Sequence, residues 1–163
     1  RDRRGIGKGG GMTQKTDAEI AFELKRKGHL AFNWQDLDKI DLPTGISTSM
    51  FRVGDPSDPS SPTVFKAYYP PGCLVEAHTH ECDYTEIILE GSQKVGAKWF
   101  HAGDVRIGLA NRGYGPLLAG DEGATVLFFF KDGRWPAIKI GNNDGTTLRS
   151  DIITDHFKEK NRG

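Results

Sequence analysis

Gly72-Cys73-Leu74-Val75-Glu76-Ala77-His78-Thr79-His80-Glu81-Cys82-Asp83-Tyr84-Thr85-Glu86-Ile87-Ile88-Leu89-Glu90-Gly91 is the stretch on which the reading of this chain turns. His78 and His80 stand two residues apart. On a strand, residues at i and i+2 project from the same face, because side chains alternate with period two. Two imidazoles so placed meet one cation, which prefers two or three nitrogen donors with a carboxylate and open positions. Tyr84 and Glu86 share a parity with each other. If their strand faces the same interior, both point at the same place.

The surrounding sequence is strand-like. From Thr63 to about Ile140 short β-rich runs alternate with Gly, Pro and Asp punctuation. They include Val64 to Tyr69, Glu86 to Leu89, Val105-Arg106-Ile107 and Thr125 to Phe130. Many short strands at this spacing predict an antiparallel sandwich or barrel. Asp55 to Pro62 reads as a loop by composition. Helix is expected only at the ends. Thr16 and Glu19 have the spacing of a capping box, Ile20, Ala21 and Leu24 share a face, and Gly28 supplies a stop, so a helix is predicted from Asp17 to Lys27. A second is predicted over Ser150 to Lys160.

The 163 residues suit one domain. Arg1 to Gly11 carries four basic residues and one acidic residue, has no apolar pattern and precedes Met12. It reads as an appended, unstructured tail. The expected division is then tail 1–11, a helical and extended segment 12–45, a barrel 46–140 and an extension 141–163. Lysine and arginine total 22, as do aspartate and glutamate. That balance argues against a nucleic-acid or acidic-membrane partner, since both need concentrated positive charge. The longest apolar run, Thr125 to Phe130, is far too short to span a bilayer as a helix. The expectation is a soluble, cytoplasmic protein with its two cysteines, Cys73 and Cys82, reduced.

With these residues in place, the stretch resembles the first motif of the cupin superfamily, Gly-x5-His-x-His-x3,4-Glu-x6-Gly. Gly72, His78, His80 and Gly91 match in spacing; Tyr84 occupies the acidic position, and the nearest glutamate on that face is Glu86. The second motif, Gly-x5-Pro-x-Gly-x2-His-x3-Asn, can be laid on Gly103 to Leu118. Gly103 fits, Leu109 replaces the proline and Asn111 the glycine. Tyr114 stands where the metal-binding histidine should be, and Leu118 where the asparagine should be. Asparagine tolerates the left-handed conformation that a tight turn needs.

The resemblance spans roughly residues 46 to 135 and implies an all-β double-stranded β-helix, or jelly-roll barrel. It implies a metal near one mouth and a homodimer. The implied ligands are His78, His80, Glu86 and Tyr114, with Glu86, Tyr84 and Tyr114 as catalytic candidates. The implied ion is divalent, Fe(II) first, with Zn, Ni or Mn as alternatives.

Two histidines and a carboxylate leave positions open for dioxygen and a small organic substrate on Fe(II), so a dioxygenase-type reaction is the first expectation. A metal-assisted lyase, isomerase or cyclase is the second, with a tyrosinate or Glu86 taking the proton. Cupin lyases acting on dimethylsulfoniopropionate are similar in pairing a glutamate and a tyrosine after His-x-His, but here the order is reversed. A non-catalytic module that binds a small molecule is the third. His101, His29 and His156 are expected outside the site, Cys82 is expected as a buried thiol, and Trp99, Phe100 and Phe128 to Phe130 are expected in the core.

Overall fold

The computed structural model describes residues 15–140; the tail 1–11 and the expected helix over Ser150 to Lys160 lie outside them. The chain opens with helix α1 (Asp17–Lys27), a single 3-10 turn at Trp34–Asp36, and strands β1 (Ile40–Asp41) and β2 (Ser47–Arg52). It continues through β3 (Thr63–Tyr69), β4 (Leu74–Val75), β5 (His78–Thr79) and β6 (Tyr84–Val95). Next come β7 (Lys98–His101), β8 (Val105–Gly108), β9 (Leu117–Phe130) and β10 (Ile138–Lys139).

Helix α1 has the predicted ends. The Glu19 amide donates to Thr16 Oγ1 at 3.2 Å, and the Thr16 amide donates to Glu19 Oε2 at 2.8 Å. Gly28 closes the helix at φ 75°. Each paired group satisfies an amide that the first helical turn leaves free. Ile20 is the residue that α1 buries.

All strand pairings are antiparallel. The main sheet runs β1-β2-β3-β9-β6-β7, with β4 added to β9 and β8 added to β6; β5 and β10 form a second, two-stranded sheet. The long strands β6 and β9 form its spine, and β6 shifts register between Ile88 and Glu90 and between Gly91 and Gln93. Such bulges bend a strand and let one sheet curl around a core. Met50, Phe65, Ala67, Tyr69, Ile88, Val126, Phe128, Phe130 and Trp135 fill that core. The result is the antiparallel all-β architecture that the strand pattern predicts, consistent with the jelly roll that the resemblance implies.

Two core expectations need correction. Phe128 and Phe130 are buried, but Phe129 between them is 44 % exposed, because alternate residues of β9 face opposite sides of the sheet. Trp99 is 42 % exposed, because β7 is an edge strand paired only with β6. An unbroken apolar run therefore did not mean two buried faces.

Candidate metal centre

His78 and His80 are both 5 % exposed and point inward from β5 and the residue after it. The backbone fixes their neighbour. His78 and Tyr114 form an isolated antiparallel bridge, each amide donating to the other's carbonyl at 3.0 Å. Paired residues in such a bridge present side chains on the same side, so Tyr114 enters the histidine cluster. Gly115 permits the approach: at φ 105°, a Cβ there would lie 3.0 Å from the Ala77 Cα. Asn111 adopts the expected left-handed turn, φ 60°, and its amide donates to the His80 carbonyl at 2.8 Å.

Each imidazole is held by its far nitrogen. His78 Nδ1 donates to the Glu76 carbonyl at 2.8 Å, and His80 Nδ1 donates to the Trp135 carbonyl. A carbonyl only accepts, so both rings carry their proton on Nδ1 and aim an Nε2 lone pair inward. Both lone pairs converge on one atom, Tyr114 Oη, at 2.8 Å from His78 and 3.1 Å from His80. A phenol has one proton, which satisfies only one of them. A cation shared by the three donors resolves the mismatch, and carbonyl-anchored imidazoles are the usual support of metal-ligating histidines. The donor set thus fits a divalent ion.

Burial lowers the His80 pKa to about 4, helped by the neighbouring His78, and burial lowers that of His78 as well. Both rings are therefore neutral at physiological pH, the form that ligates. Burial, with Glu86 adding to it, pushes the Tyr114 hydroxyl well above its ordinary range, so the phenol is protonated at neutral pH. The sign for stability follows. Unfolded, His80 binds a proton below about 6.5, whereas folded it resists down to about 4, so stability is lost as pH falls between those values. Chemical denaturation of metal-free protein should show about 2 kcal/mol less stability from this group at pH 5 than at pH 7. The variant His80→Gln should flatten that slope; an unchanged slope would contradict the assignment.

Tyr84 and Glu86 share the inward face of β6, 4 % and 2 % exposed. Tyr84 fits because its β8 partner is Gly108, where a Cβ would stand 2.3 Å from the tyrosine ring. Glu86 is paired with an arginine. Its strand partner is Arg106 on β8, whose Nε donates to Glu86 Oε2 at 2.8 Å and whose Nη2 donates to Tyr84 Oη at 3.1 Å. The guanidinium also covers the Tyr114 ring, 4.0 Å from its centroid. Burial pushes the Glu86 carboxyl above the ordinary carboxylate range, against the pull of Arg106. Its Oε1 is buried without a hydrogen-bond partner. Among the described residues no three His, Cys, Asp or Glu side chains come close enough to hold a metal. The compact group is His78, His80 and Tyr114, and Glu86, held by Arg106, adjoins it through Tyr114.

Arg106 is the site residue that the sequence reading missed. Val105-Arg106-Ile107 reads only as a short strand; Val105 is 57 % and Ile107 74 % exposed, and the arginine is the residue turned in. The glutamate two residues after Tyr84 was the available signal, since a buried carboxylate needs a cation. His101 and His29 are exposed and outside the site, and Cys82 is a buried thiol, as expected.

A cavity of about 310 Å³ is walled largely by Phe65, Phe128, Phe130, Trp135, Leu42 and Ile46, and His78, His80 and Tyr114 also line it. This falls at the low end of small-ligand pockets, roughly 300–1,000 Å³. No helix among the described residues is long and apolar enough to cross a membrane.

No protein-family model and no curated protein matches the sequence. Solved structures do. An RmlC-like cupin from Shewanella frigidimarina superposes with TM-score 0.55 at 18% identity, over 65% of this chain and 92% of that one. Oxalate decarboxylase from Bacillus subtilis gives 0.56 at 19% identity over 78% of this chain, which spans only 37% of the decarboxylase; another structure of that enzyme concerns its Mn(II) centres. KdgF from a Halomonas species gives 0.50 at 16% identity, over 63% and 94%. The fold is the cupin fold. At these identities the likeness carries the fold alone.

Proposed function

We propose that this chain is a metal-dependent cupin enzyme acting on a small, mostly apolar organic molecule by proton transfer at Tyr114. The observation that carries the reading is the convergence of two Nε2 lone pairs on one phenolic oxygen with a single proton. His78, His80 and Tyr114 would hold the ion. When bound, it would polarise a substrate oxygen and draw down the pKa of Tyr114. The chain's own residues do the rest. Arg106 packs on the Tyr114 ring and holds Glu86, so the carboxylate and guanidinium keep the buried charge balanced. Tyr114 Oη then exchanges a proton with substrate held against the aromatic wall, away from water. Such chemistry belongs to a lyase, isomerase or cyclase.

A second reading, an Fe(II) dioxygenase, is favoured by the unpartnered Glu86 Oε1. If that oxygen joined the two histidines, two imidazoles and a carboxylate would leave positions open. The metal preference separates the two: proton transfer survives with Zn(II) or Ni(II) and without dioxygen, and the oxygenase needs Fe(II). Mn(II), seen in the decarboxylase, is compatible with the same donors. The homodimer implied by the resemblance has exposed Ile107 and Phe129 to form on, which flank half-buried Thr85 across the outer face.

Titration of metal-stripped protein with Zn(II) tests the reading. One ion per chain is expected. Tyr114→Phe should weaken it about ten-fold, the scale of one lost charge-assisted interaction, with the thermal midpoint kept within a few degrees. Tyr114→His should tighten it, since a neutral imidazole need not first lose a proton. No gain for the histidine variant would mean that Tyr114 is not a ligand.

A further inference from the structure

The cavity contains a second polar feature, remote in sequence from the centre. Thr48 on β2 lines it, the residue only 2 % exposed, and Thr48 Oγ1 has no hydrogen-bond partner. A hydroxyl buried among apolar neighbours costs more when unpaired than a paired one returns, and a valine of the same shape would remove that cost. Its orientation comes from the sheet. Thr48 and Met50 are the inward residues of β2, and Thr48 lies in a row with Ala67 of β3 and Val126 of β9. Glu86 lies in the neighbouring row, with Phe128, Phe65 and Met50. Thr48 is thus one pleat away from the row of the site carboxylate, across an aromatic wall.

We propose that Thr48 is a specificity-determining residue that donates a hydrogen bond to a carbonyl or hydroxyl oxygen of the substrate. The substrate class then follows from the cavity: an oxygen donor at the histidine end, an apolar body against Phe65, Phe128, Phe130 and Trp135, and a second oxygen function at Thr48. Among the described residues no lysine or arginine lines the cavity, so the second function is neutral and not a second anion. The inference rests on the proposed metal reading for its first end only.

The test uses Zn(II)-loaded protein and a series of carboxylates of increasing chain length carrying a terminal methyl ketone. Each is paired with the carboxylate in which methylene replaces the carbonyl, and binding is measured by calorimetry. At one chain length the wild type should bind the ketone about ten-fold more tightly than its isostere. Thr48→Val should abolish that preference, leave the isostere's affinity the same or better, and leave Zn(II) affinity unchanged. Absence of a ketone preference at every length, or its persistence in Thr48→Val, would overturn the proposal. The metal reading fails separately: if the carboxylates bind equally to metal-free protein, the ion is not their partner, whatever Thr48 does.

Discussion

Replacing Arg106 with methionine should lower stability at neutral pH by about 3–5 kcal/mol, the scale for removing one partner of a buried ion pair. Glu86 is 2 % exposed and its Oε1 already lacks a partner, so loss of the 2.8 Å bond from Arg106 Nε would leave a buried carboxylate with no cation. The variant has one escape, to protonate Glu86. A carboxyl whose folded pKa lies above its unfolded one stabilises the fold fully at low pH and loses that contribution as pH rises through the folded value. The deficit should therefore shrink as pH falls toward about 4.5. The double variant Arg106→Met, Glu86→Leu should recover most of the loss, because an apolar pair of similar volume needs no compensation. Denaturant midpoints for the single and double variants at neutral and acid pH decide the matter. A single variant as stable as wild type would mean that the pair is solvated.

The second large effect is on the metal. Changing both His78 and His80 to alanine should abolish binding while the barrel stays folded. The two imidazoles would supply both nitrogen donors, and without them a phenol and one carboxylate already paired with Arg106 would remain. The fold would not depend on such an ion as a zinc finger's does, since Phe65, Val126, Phe128, Phe130 and Trp135 bury a core of their own. Elemental analysis of the double variant should show no retained ion, with a circular dichroism spectrum unchanged in shape. Wild-type metal content in that variant would remove both histidines from the centre.

Much of this was legible before any coordinates. His-x-His at strand parity, glycines at fixed distances and the left-handed Asn111 are local features, and local features survive into the fold. The parity of Tyr84 and Glu86 also held, because period two is a property of the strand itself. What escaped was pairing across strands. Arg106 sits between Val105 and Ile107, where amphipathic patterning points a charge outward. Only the register Glu86 to Arg106 reveals that this strand is turned over, with its apolar residues outside. Phe129 and Trp99 misled for the matching reason: aromatic residues in the β9 run and on the edge strand β7 were read as core, though burial depends on which neighbour covers each face. Thr48 carries no sequence signal at all, because an inward hydroxyl on a strand looks like any other threonine until its partners are counted.

The central claim is that one divalent ion sits between His78 Nε2, His80 Nε2 and Tyr114 Oη. Anomalous diffraction collected above and below the absorption edge of the metal found in the purified protein tests it directly. A single strong peak is expected in each chain at the point where those three atoms converge, weakened in Tyr114→Phe and missing from the double histidine variant. A peak elsewhere in the chain, or none at this point in fully loaded crystals, would contradict it.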